Sequence, residues 1–99
     1  MNTASEIPDS TTIARALFDA IEGHQRALMR NAQPLDDVCI VDVATYDAVA
    51  ECFFGQAPGT TSAAHGVNIY GSASQRVPFQ ITVRGDDAVP VGEVRFERR

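Results

Sequence analysis

Asp47 and Glu51 stand four residues apart in Thr45-Tyr-Asp-Ala-Val-Ala-Glu51. On a helix that spacing puts both carboxylates on one face, where they repel mildly. Such a pair could do general acid–base work or hold a hard cation. Asp36, Asp37 and Asp42 join them, giving five acids within residues 36–51 and no basic residue among them. The alternate-residue ligand pattern of a calcium loop is absent. The reading carried forward is an acidic surface that meets an Arg/Lys-rich protein partner, through which charge complementarity sets on-rate and selectivity.

The other chemistry-bearing side chains are few. His24 falls on or beside the apolar stripe of a helix, the place of a hydrogen-bonded, half-buried ring. His65 precedes Gly66 in a loop, where a histidine could act as a base with Asp42 or Asp47 orienting it. Cys39 sits in a β-branched run and Cys52 in Ala-Glu-Cys-Phe-Phe, so both read as small core hydrophobes. Positions 24, 39, 52 and 65 match no zinc-finger or ribbon spacing, and no metal or cofactor is expected. Phosphate-loop, dinucleotide and nucleophile-elbow motifs are missing.

All eight basic residues are arginine. Without lysine there is no Schiff-base nucleophile and no phosphate-loop lysine. A lysine-free chain rich in Ala, Val, Arg and Gly points to GC-rich coding DNA, hence to a high-GC bacterium or one of its mobile elements. The charge is uneven: residues 1–51 hold nine acids against three arginines, residues 52–99 four against five, within a net charge of −5. That balance disfavours direct nucleic-acid binding. No apolar run is long enough to span a membrane. Met1 to Thr12 has neither a basic nor an apolar signal region, so a cytoplasmic location is expected.

Ninety-nine residues suit one domain of 1–99. Residues 1–9 read as a frayed lead. Asp9 or Ser10 should cap a helix over Thr11–Arg30, with Ile13, Leu17, Ala20, Ile21 and Leu28 inward. Val38–Val43 reads as a central strand buried on both faces. Thr45 could cap a short helix over Tyr46–Phe54 stopped by Gly55, with a strand extension as the competing reading. Gly55–Gly66 reads as a mobile loop. Strands follow near Val67–Tyr70, Val77–Arg84 and Glu93–Arg98, separated by turns at Gly71–Arg76 and Gly85–Gly92. The order α-β-α-β-β-β implies an α+β fold: a four-stranded, mostly antiparallel sheet with both helices on one face. Its other face would carry Gln80, Thr82, Arg84, Arg95 and Glu97.

The leading functional expectation is a non-enzymatic protein–protein interaction module binding through Asp36, Asp37, Asp42, Asp47 and Glu51. Small size, acidity and the absence of a cofactor signature are similar in general character to phage or mobile-element inhibitors of host machines, anti-CRISPR proteins among them. That likeness implies a bacterial nucleic-acid-handling complex as target; no motif carries a functional residue across. Two alternatives stand beside it. One is a homo-oligomer, simplest as a homodimer, pairing at the sheet edge with Tyr70, Phe79 or Phe96 as anchors. The other is a small enzyme or ligand-binding protein using the 55–66 loop and His65.

Overall fold

The computed structural model describes residues 9–56, 63–74 and 77–98. Residues 1–8 of the expected frayed lead 1–9, and residues 57–62 of the expected mobile loop, lie outside the described residues. The chain runs α1 (Ser10–Arg30), β1 (Val38–Val41), α2 (Val43–Phe54), β2 (Val67–Ser74), β3 (Val77–Gly85) and β4 (Val94–Glu97). This is the α+β order read from the sequence.

Asp9 caps α1, its Oδ1 accepting from the Thr12 N–H at 2.8 Å. The buried stripe is Ala14, Leu17, Ile21 and Gln25, spaced three or four apart. Its fourth member is a glutamine rather than His24, because Gln25 takes both backbone groups of Asp36. The amide Nε2 donates to the Asp36 C=O at 2.6 Å and Oε1 accepts from the Asp36 N–H at 3.1 Å. A fully buried amide is tolerated here because both its ends are satisfied. The helix ends at Arg30 with Asn31 as its cap, and Ala32 beyond it takes the left-handed φ of 55° while the Gln33 N–H reaches the Leu28 C=O at 2.9 Å.

α2 begins earlier than expected. Asp42, not Thr45, is its cap, and the helix opens at Val43. Gly55 stops it at φ 65°, with the Gln56 N–H bonded to the Ala50 C=O. The helix thus prevails over the strand reading, even though Tyr, Val and Phe favour strands.

The sheet is mixed rather than mostly antiparallel, in the order β2-β3-β1-β4. β1 lies parallel to β3, Val38 beside Thr82 and Val41 beside Gly85, and antiparallel to β4. Three connections impose this. The chain from β1 through α2 reappears at the far edge as β2, and the β2–β3 hairpin then folds β3 in beside β1. Residues 86–93 afterwards cross β1 to place β4 on its other side. They are more than a turn: Val89 packs on Val38 and Ile40 and covers the outer face of β1. β1 is therefore buried on both faces, as its β-branched run implies.

The main core lies between the helices and the inner face of the sheet. It holds Leu17, Ile21, Cys39, Val41, Tyr46, Val49, Ile69, Phe79, Ile81 and Val83, with Val94 and Phe96 at its border. Of the outward residues expected in β3, Thr82 is buried and donates its hydroxyl to Asn68 Oδ1 at 2.8 Å. β2 is also longer than Val67–Tyr70, since Gly71–Ser74 continues to pair with β3.

Candidate docking surface at the sheet edge

The five acids of residues 36–51 do not converge. Asp42 is buried, and both its oxygens are taken: Thr45 N–H at 3.0 Å, Thr45 hydroxyl at 2.7 Å and Gly92 N–H at 3.4 Å. Burial works to raise its pKa, but these hydrogen bonds outweigh it and hold the carboxyl below the usual range. Asp42 is a helix cap that also ties down the 86–93 segment. It is not the surface acid read from the sequence.

Asp36 lies against His24, with Oδ2 and Nε2 2.6 Å apart. Asp37 continues the sheet through its backbone, accepting from the Thr82 N–H and donating to the Glu97 C=O. Glu51 accepts from the Ser10 hydroxyl at 2.6 Å. Ser10 and His24 are fourteen positions apart on α1, about 21 Å along its axis. Asp36 and Glu51 are held near opposite parts of that helix. Only Asp47 and Glu51 share an element, with the four-residue spacing that α2 aligns.

The other candidates scatter as well. His65 is exposed at the end of the turn 63–65. Cys39 is sealed in the core, where burial pushes its thiol up to about 12, far from a reactive thiolate. Cys52 is half-buried against the core. Among the described residues, no three His, Cys, Asp or Glu side chains are grouped to hold a metal ion, and no helix is long and apolar enough to cross a membrane. Of the three aromatic anchors read from the sequence, Phe79 is a core residue and Phe96 lies under the His24 ring. Tyr70 is 69% exposed.

Tyr70 belongs to a feature the sequence reading did not assemble. An apolar groove of about 280 Å³ runs along β2, lined by Phe18, Phe53, Phe54, Asn68, Ile69 and Tyr70. Phe53 and Phe54 sit at the end of α2 and stay over 40% exposed. Phe18 meets Phe53 edge-on, with centroids 6.0 Å apart. Large apolar side chains clustered at the surface mark interaction sites.

The backbone beside them is open. In an antiparallel pair, alternate residues turn both N–H and C=O away from the partner strand. The Ser72 N–H points away from β3, because it donates to Glu22 Oε2 at 3.3 Å. From Val67 to Ser72 the register with β3 is regular, so Asn68 and Tyr70 turn outward as well. Among the described residues, no hydrogen bond reaches the outward backbone N–H and C=O of these two.

The sheet has two other free margins, and each is short or partly guarded. β4 is four residues long and carries Arg95 and Glu97. β3 extends past the start of β1, and there Pro78 removes one of the two N–H groups that face the gap, the other being that of Gln80. β2 is eight residues long and has neither a charge nor a proline. Glu22 covers this edge only at Ser72, which leaves its Asn68–Tyr70 stretch open.

No family model matches the chain, no curated protein matches it in sequence, and no solved structure matches it.

Proposed function

We propose that this chain is a non-enzymatic protein–protein interaction module that docks by strand addition at β2. The observation behind this is the pairing of an open, uncharged strand edge at Asn68–Tyr70 with the aromatic groove of Phe18, Phe53, Phe54 and Tyr70. Strand addition obtains affinity from main-chain hydrogen bonds and selectivity from side-chain pockets beside the strand. Both components are present within one groove. The chemistry-bearing groups support the same reading from the other side. Asp42 is committed to a helix cap, Asp36 and His24 to each other, and Cys39 to the core.

The test is affinity capture from bacterial lysate with the tagged wild type beside Tyr70→Lys, which sets a charge on the edge. A stoichiometric partner chain lost in the variant is the expected result. Equal recovery by both proteins would remove β2 as the docking element.

A second reading keeps the acidic surface, reduced to Asp47 and Glu51. It is favoured by α2 being helical across both, which aligns them on one face. There the chain would be an inhibitor, anti-CRISPR-like in character, occupying an Arg/Lys-rich surface of a nucleic-acid-handling complex. Asp47→Arg combined with Glu51→Arg should then abolish capture at low salt and leave β2 docking intact. Unchanged capture would sink this reading.

A further inference from the structure

We infer that the strand added to β2 is β2 of a second copy of this chain, related by a two-fold axis through Ile69. The inference rests on the docking reading above and names its partner. Three observations carry it, and they concern hydrogen bonding, charge and side chains.

Two-fold antiparallel pairing requires that outward-facing residues meet outward-facing residues. The outward set is Asn68, Tyr70 and Ser72, and Glu22 already holds the Ser72 N–H. One register uses only the free members. Asn68 of each copy lies opposite Tyr70 of the other, and each pair exchanges N–H and C=O in both directions. Four backbone hydrogen bonds form, and the Glu22–Ser72 contact stays in place. A register centred on Tyr70 would instead pair Asn68 with Ser72, and Glu22 would have to be displaced.

Charge points to the same edge. Each copy carries −5, so two copies repel over most orientations. β2 has no charged residue, and its flanking groove is lined by four aromatics, Ile69 and Asn68. The nearest carboxylate is Glu22 at Ser72. In this register the two copies of it lie about 20 Å apart at opposite ends of the pairing, so the acidic chains meet here with little electrostatic penalty. At the axis, Ile69 faces Ile69 of the other copy in a non-hydrogen-bonded pair, the closer of the two antiparallel spacings. The grooves holding Phe53 and Phe54 then lie on both sides of the axis, a self-complementary arrangement of an isologous interface. The product is a continuous eight-stranded sheet in which the open edges have covered each other.

Sedimentation of the wild type over a range of concentrations, with amide exchange measured residue by residue, tests this directly. The expected result is a concentration-dependent dimer in which the Asn68 and Tyr70 amides gain protection on association. Tyr70→Lys, at an exposed position outside the core, should weaken the dimer about tenfold or more by setting two like charges beside the axis. A wild type that stays monomeric up to about 1 mM, where even millimolar association would register, overturns the second-copy inference. Lysate capture then decides separately whether β2 docks another chain. A dimer with unprotected Asn68 and Tyr70 amides, or one indifferent to Tyr70→Lys, overturns it too. The amide readout needs no variant to fold.

Discussion

His24 lies flat against Phe96, ring planes 8° apart and centroids separated by 3.6 Å, while its Nε2 meets Asp36 at 2.6 Å. One side chain of α1 thereby joins the segment that leads into β1 to the edge strand β4. Gln25, the next residue, clamps the same segment through the backbone of Asp36. Together they fix how the second half of α1 sits on the sheet.

The stacking predicts measurable coupling. His24→Ala should lower unfolding stability by about 1–2 kcal/mol, through loss of the stacked ring and of the partner for a half-buried carboxylate. In urea titrations, a double-mutant cycle with Phe96→Leu should yield about 0.5–1.5 kcal/mol of interaction. Strict additivity of the two changes would show that the stack contributes nothing beyond area burial.

Asp42 predicts an acid-sensitive step. Its folded pKa lies below the unfolded value near 3.9, so the stabilisation it supplies is present above that value and fades as pH falls through the folded one. Asp42→Asn keeps a side-chain cap and removes the charge. The variant should be about 0.5–1 kcal/mol less stable than the wild type at pH 7, and the gap should close as pH drops below about 4. A gap constant from pH 7 to pH 3 would mean the charge is not what stabilises the cap. Asp42→Ala should cost more, about 1–2 kcal/mol, at pH 7.

Gly71 and Phe79 face each other across β2 and β3, and the ring of Phe79 lies over the bare glycine. A Cβ on residue 71 would stand 2.6 Å from Phe79 Cζ. Gly71→Ala therefore has to push a core ring aside, at a cost of about 1–3 kcal/mol. Gly23→Ala is the control, since a Cβ there meets nothing within 4 Å. In a helix interior that change should stabilise, by about 0.5–1 kcal/mol. Thermal melts of the two variants should move in opposite directions, and a Gly71→Ala protein as stable as the wild type would contradict the packing described.

The locally encoded features were legible in the sequence. Asp9 ahead of an i, i+3/i+4 stripe marked α1, the β-branched run marked β1, Gly55 marked the end of α2, and the alternation of Val77, Phe79, Ile81 and Val83 marked β3. Features that depend on a distant partner were not. Gly71-Ser-Ala-Ser74 has turn chemistry, yet it is strand because Phe79 covers its glycine and β3 bonds its backbone. Gln25 lies on the inner spacing of α1, but no local pattern marks a glutamine as buried, since its compensation lies in the backbone of Asp36. Asp42 was read as a surface charge, although Asp-Val-Ala-Thr45 holds a cap and its first-turn donor. The groove at β2 draws on α1, α2 and β2 together, and no local pattern assembles those three.

The position of β1 between β3 and β4 also has a kinetic consequence. Val38 pairs with Thr82 on one side and Glu97 on the other, separations of 44 and 59 residues along the chain. Only the β2–β3 hairpin brings together strands that adjoin in sequence. Closing the long loops costs chain entropy before the β1 contacts repay it, which places this small domain among slower-folding mixed topologies. A β2–β3 hairpin closed ahead of β1 would leave its inner strand as bare as its outer one. In a chain of this order, exposure to misassociation would be greatest early, before the strand that completes the sheet has arrived.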